Sequence, residues 1–391
     1  MNKEEKYLPE LTKSYFNNSA PPDDSSINWG YLFNLAKYHN LIGICHCVFS
    51  KHKELSVPDK IRKSFEDRFF DIVYIYECQK NALEDIKSCF NSKGVKYITF
   101  KGAVLRELYP VPESRSMGDI DILIEKSERS RVKSVLKEIG FEFSSSSETV
   151  DTYVRDNTVI EIHIRLTNEF DCPAFDNAFD TAEFDGNEGR LDDACHFAYL
   201  IAHTAGHLKF TGAGIRFVLD LAVMLRSKEI DLDEVFKILE SINLVTFAKV
   251  IISVCSQWFS QGQCFCDNTE KVQEYLVQDG VFGTLKDSEH TTVTRLRQIG
   301  AYDDNGTGNK STIAMKLRLA FPPYSALRNS EYIKFLNGRP WLLPAAWVYR
   351  FFHNVKNNRS HMLETVKNTG DEKITALAVE EHKFFEEIGL I

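Results

Sequence analysis

The segment Gly118-Asp119-Ile120-Asp121-Ile122-Leu123-Ile124 constrains the fold of this chain more than any other stretch. Side chains along a strand alternate between faces, so Asp119 and Asp121 share one face while Ile120, Ile122 and Ile124 share the other. One face suits packing and the other suits charge. Carboxylates at i and i+2 on a strand lie roughly 7 Å apart, and oxygen ligands at that spacing favour Mg²⁺ or Mn²⁺ over zinc. The chemistry indicated is phosphoryl or nucleotidyl transfer. A solvated strand end shows the same Asp-x-Asp pattern, so the neighbouring segments have to decide between the two.

Upstream, the apolar run 95–100 reads as a strand ending at Lys101-Gly102 and passing into a short helix from Ala103 to about Leu108, before the turn at Tyr109-Pro110. Glycine at 102 lets a phosphate approach the backbone. The new helix offers it unpaired N–H groups, with Lys101 beside it as a point charge. Downstream, 150–155 and 158–166 read as strands joined in a tight hairpin at Asp156-Asn157. The second carries Glu161 and His163 on one face, with Ile160, Ile162 and Ile164 on the other. Placed next to the Asp119 strand, Glu161 is a third carboxylate, either a metal ligand or a base. Alternation alone also fits a polar solvent face.

Lys101-Gly102, Arg115, Asp119-x-Asp121, Glu161-x-His163, a histidine-bearing helix and Phe321-Pro322-Pro323 together resemble the family of uncharacterised nucleotidyltransferases, bacterial proteins of poorly defined substrate. The resemblance runs from about Ile27 to about Phe352. It implies an α+β fold: a nucleotidyltransferase-like mixed-sheet palm flanked by N-terminal and C-terminal helical regions. It also implies Mg²⁺ (or Mn²⁺) and a nucleoside triphosphate donor. Asp119, Asp121 and Glu161 are then the expected catalytic and metal-binding acids, with Lys101, Gly102, Arg115 and Ser116 around the triphosphate. Many members of the wider superfamily carry Gly-Ser or Gly-Gly in the turn where this chain has Lys101-Gly102-Ala103. Lys101 and Arg115 are therefore expected to take over the neutralisation of phosphate charge.

From Leu191 a helix is expected with His196, His203 and His207 along one stripe. The acid of a His-Glu-x-x-His protease is missing, because Thr204 and Ala205 follow His203. These histidines suit either burial against backbone partners or contact with substrate. In the resembling family this helix recurs together with the segment Arg216-Phe217-Val218-Leu219-Asp220, which implies that both face the cleft. His163, His203, His207 and Asp220 are accordingly expected among the substrate contacts, with His207 and Asp220 orienting one another.

Hydrophobic residues make up 43% of the 391, enough to bury a large core in two or three subregions. The division expected is a flexible arm over 1–26, a helical region over 27–94, the palm over 95–190 and a second helical region over 191–391. No apolar run approaches the roughly 20 residues that span a bilayer, and the first residues, Met1-Asn2-Lys3-Glu4-Glu5-Lys6, lack a signal core. A cytoplasmic protein is expected. Nine scattered cysteines, an odd number without paired Cys-x-x-Cys motifs, read as reduced thiols.

A formal charge of −9 argues against nonspecific nucleic-acid binding. The acceptor is left open among small molecules, proteins and RNA. A competing reading retains the palm for nucleotide binding or partner docking without catalysis. The run Asp303-Asp304-Asn305-Gly306-Thr307-Gly308 lacks the calcium-loop glutamate and reads as a surface loop. The aromatic stripe Trp347, Tyr349, Phe351, Phe352 reads as core packing, with a surface for a membrane or partner as the alternative.

Overall fold

The computed structural model describes residues 1–210, 212–279, 312–327, 331–336, 338–357, 369 and 371–391. The chain divides into two compact units, Met1–Leu208 with Gly212–Val281, and Lys209–Thr211 with Phe282–Ile391. The first contains a mixed sheet built from β1 (Tyr97–Phe100), β2 (Asp119–Ile124), β3 (Glu142–Ser146), β4 (Val150–Arg155), β5 (Thr158–His163), β6 (Glu183–Asp185) and β7 (Glu188–Arg190). Their order across the sheet is β3-β4-β5-β2-β1-β7-β6. At its centre β2 pairs antiparallel with β1 and parallel with β5. Asp156, at φ 51°, makes the turn between β4 and β5.

The isoleucine face of the sheet is dry. Ile120, Ile122, Ile124, Ile160 and Ile162 pack with Ala82, Ile86 and Phe90 of α4 (Asp59–Lys93) and with Val132, Val135 and Leu136 of α6 (Arg129–Glu138) in one core. Burying each such side chain contributes about 1.5–3 kcal/mol, so a register slip that exposed this face would cost far more than the sheet could recover. Within the helical region expected over 27–94, α4 is a single 35-residue helix. It contains no glycine or proline, and the breaks come at Pro58 and at left-handed Gly94.

The arm expected over 1–26 carries instead a helix, α1 (Lys3–Asn17), closed by a capping box between Asn2 and Glu5. Its polar composition hid an apolar stripe, Leu8, Leu11 and Tyr15, that is buried. Tyr15 then fastens the loop leading to β2: its hydroxyl accepts from the Val111 N–H at 2.9 Å and lies 2.8 Å from Ser114 Oγ.

The expected boundary at residue 191 also shifts. The helices α8 (Asp193–Phe210, to Leu208), α9 (Ile215–Ser227), α10 (Leu232–Glu240), α11 (Val245–Phe259) and α12 (Glu270–Asp279) belong to the same unit as the sheet. In the second unit, Trp347 of the helix Leu343–Asn357 donates Nε1–H to the Pro322 carbonyl at 2.9 Å and packs edge-on against Phe321. Tyr349, Phe351 and Phe352 on that helix are exposed, so only part of the expected stripe is core. Residues 303–308 lie outside the described residues. All nine cysteines are free, and among the described residues no helix is long and apolar enough to cross a membrane.

Candidate active site

The parallel register sets Asp121 opposite Glu161 and Leu123 opposite His163, so two strands bring the polar residues of the sheet's second face together. Ligand atoms of Asp121, Glu161 and His163 all lie within 4.8 Å of one another. His163 Nε2 is 2.9 Å from Asp121 Oδ1 and 3.4 Å from Glu161 Oε2. Two carboxylates and an imidazole this close fit a divalent cation. The expected trio was Asp119, Asp121 and Glu161, whereas the tight group contains His163 in place of Asp119. A nitrogen donor in the set draws its preference from Mg²⁺ toward transition metals.

The two aspartates of β2 differ electrostatically. Burial alone would raise the Asp121 carboxyl, but the Lys101 ammonium at 2.7 Å and the His163 ring outweigh it and hold Asp121 well below the usual carboxylate range. Asp119 forms no ion pair among the described residues. Burial, and then the charges of Asp121 and Glu161, push its carboxyl up to about 6. One acid is thus neutralised within the protein, while the other has no counter-ion among the described residues.

Lys101 was expected to hold phosphate, and the structure instead sets its ammonium on Asp121. It stands between β1 and the short helix α5 (Gly102–Leu105) at φ 50° and ψ −126°, a conformation costly for a residue with a Cβ, by about 1–3 kcal/mol. Its N–H donates to the buried His196 Nε2 at 3.2 Å, a bond that helps hold the turn. Gly102 also has a different reason from the one expected. A Cβ there would lie 2.5 Å from Met117 Sδ and 2.9 Å from Arg115 Nη1, so the glycine makes room for these side chains.

Arg115, expected beside the triphosphate, is engaged with Asp220. It is buried and donates Nε–H and Nη2–H to the two oxygens of Asp220, each at 2.8 Å. Tyr109 donates its hydroxyl to Asp220 as well, at 2.7 Å. Asp220 is therefore held by Arg115 and Tyr109, in place of the expected pairing with His207. Ser116 is half-buried in the same loop and makes no hydrogen bond among the described residues.

Helix α8 covers the acidic face. Phe100 of β1 meets the His163 ring at 5.1 Å and the Tyr199 ring at 5.7 Å. One turn on, His203 stacks on Tyr199 and lies 4.5 Å from His207, and both histidines approach Phe217 of α9. Burial pushes His203 down and His207 to about 4, with the Lys101 charge adding to the effect, so both rings are neutral near pH 7.

One residue beside this site had not been singled out: Glu169 lies against Gly206 of α8, where a Cβ would meet its carboxylate. Arg216, named only as the head of the segment expected to face the cleft and given no role of its own, is half-buried on the first turn of α9 and has an enclosed Nε without a hydrogen-bond partner.

A mixed sheet with a dry face and an acid-lined face, entered through a strand-to-helix turn, defines a nucleotidyltransferase. The chain belongs to the family described as uncharacterised nucleotidyltransferase, whose model matches residues 25–260. The match ends well before the expected limit near Phe352. The solution structure of the antibiotic-resistance factor ANT(2'')-Ia is similar over 42% of this chain and 91% of that one, at 8% identity and a TM-score of 0.34, a likeness too slight to bear on function. No curated protein matches the chain.

Proposed function

We propose that this nucleotidyltransferase moves a nucleoside monophosphate from a nucleoside triphosphate to a hydroxyl or phosphate group of a small molecule, protein or RNA, in the cytoplasm and with a divalent cation. In the step, an acceptor oxygen bonds to the α-phosphorus, the α–β bridging bond breaks and pyrophosphate leaves. The register that sets Asp121 opposite Glu161 is the observation that carries this reading, because it gathers acids whose repulsion has no structural benefit without a cation. Asp119, Asp121 and Glu161, with His163, are the residues that would hold it. A cation bound there supplies charge neutralisation on the transferring phosphoryl group.

Each remaining role belongs to a side chain already in place. Glu161, 30% exposed, is the acid open to an acceptor and can take its proton. His163 Nε2, 2.9 Å from Asp121 Oδ1, either holds the Asp121 carboxylate in place or joins it as a ligand when a cation is bound. Lys101 keeps Asp121 ionised and holds a positive charge beside the reacting phosphates.

The test offers ATP, GTP, CTP and UTP in turn, with Mg²⁺ or Mn²⁺ and pooled small-molecule, protein and RNA acceptors, and follows transfer of α-phosphorus label. Transfer by the native protein that vanishes in the Asp119→Asn, Asp121→Asn double variant, with its circular dichroism unchanged, is expected. Equal transfer by the double variant sinks the proposal. The Lys101 ammonium already seated on Asp121 favours a second reading, a nucleotide-binding or partner-docking protein. Metal-independent nucleotide binding without any transfer is its signature.

A further inference from the structure

Arg115 is ion-paired with Asp220 and Lys101 with Asp121, so the charge of each is already balanced within the protein, although Arg115 Nη1 is itself enclosed without an acceptor. Arg216 is differently placed. Among the described residues it has no ion pair, and its Nε is enclosed without an acceptor. Its guanidinium carbon lies 5.6 Å from the centroid of the Phe217 ring. An enclosed donor with no partner forfeits about 1–3 kcal/mol, and more when it is charged. Loss of water and the nearby Arg115 both disfavour the charge on Arg216. The charges of Asp220 and Asp119 offset part of this, but neither forms an ion pair with Arg216 among the described residues.

The position of Arg216 says what would. Its charge acts on Asp119, on His203 and His207, and on Asp220, so both the acid cluster and the histidine stripe lie within its electrostatic reach. Phe217, the next residue, has its ring 4.8 Å from the His207 ring and 5.8 Å from the His203 ring. Arg216 also stands on the first turn of α9, which no side chain caps, so the helix dipole favours an anion at the same place. A guanidinium fork matches two phosphate oxygens at once, which an ammonium cannot.

We infer that Arg216 is the anion-binding residue of the site, taking the β- and γ-phosphates of the donor and then the pyrophosphate they become. This rests on the transfer reading for its place in the reaction, but binding of an oligophosphate does not depend on transfer.

The experiment measures binding of inorganic tripolyphosphate, a nucleoside triphosphate and the matching nucleoside monophosphate to native protein, Arg216→Gln and Arg216→Lys, with thermal unfolding as the control for folding. Arg216→Gln is expected to weaken tripolyphosphate and triphosphate at least tenfold and the monophosphate less than twofold, with Arg216→Lys intermediate. Should Arg216→Gln fail to fold, labelling of native Arg216 by phenylglyoxal, read by mass spectrometry, replaces it, and tripolyphosphate is expected to protect that residue. Unchanged tripolyphosphate affinity in Arg216→Gln, an equal loss for the monophosphate, labelling without protection, or no oligophosphate binding by native protein each overturns the inference. Loss of tripolyphosphate binding in a protein that transfers nothing would sink the transfer reading and leave the subsite standing. Transfer with unchanged KM in Arg216→Gln would do the reverse.

Discussion

Arg115 and Asp220, 105 residues apart, close a two-point ion pair in which both charges are buried and both carboxylate oxygens are engaged. The pair ties the loop before β2 to α9, and so fixes the approach to Asp119 from the far side of the site. Removing one partner strands the other. Asp220→Ala is expected to lower stability by about 3–5 kcal/mol, and Asp220→Ala with Arg115→Met to recover much of it. Urea unfolding measures both, and a single-variant loss under about 1 kcal/mol, as for an exposed pair, would contradict the geometry.

Asp119 gives the metal-free protein a pH signature. Its folded carboxyl is raised from 3.8 to about 6, so between those values the folded state binds the extra proton and stability falls as pH rises. Below 3.8 the effect is fully present as stabilisation, and above 6 it is gone. Melting temperature followed from pH 4 to 7 is expected to lose this downward component in Asp119→Asn. Identical profiles for the two proteins count against it.

Gly102→Ala is expected to destabilise by about 1–3 kcal/mol through overpacking against Met117 and Arg115. Gly118→Ala serves as the control, since its Cβ would meet nothing within 4 Å, and a change within about 0.5 kcal/mol is expected. Equal effects of the two substitutions would show that the close approach at Gly102 is not real.

Lys101 competes for the oxygen that a cation would use. Lys101→Met is expected to raise the affinity of the protein for Mn²⁺ by about tenfold, because a positive charge at 2.7 Å from Asp121 Oδ1 is removed, while transfer slows. Titration calorimetry with Mn²⁺ alone decides it, and weaker binding in the variant would place the cation elsewhere.

Residues 119–124 and 158–163 were legible as strands because their alternation has the two-residue period of a pleated sheet, with the isoleucines on one face and the acids on the other. That period also foretold that Asp119, Asp121, Glu161 and His163 would lie on polar faces. Family resemblance was legible because local motifs survive in linear order, although it was read as far as about Phe352 and the family model matches 25–260. Periodicity says nothing about which charge meets which. Whether Lys101 turns to Asp121 or to a phosphate, and whether Arg115 reaches the cleft or Asp220, depends on neighbours brought from 20 and 105 residues away. In a buried site the nearest opposite charge wins, because an unpaired ion there is too costly to leave. The sequence by itself determined the alternating strands and the set of chemical groups they carry. Tertiary structure decided the pairings, joining Arg115 to Asp220 and leaving Arg216 without an ion pair among the described residues, because only packing settles which charges lose their water together.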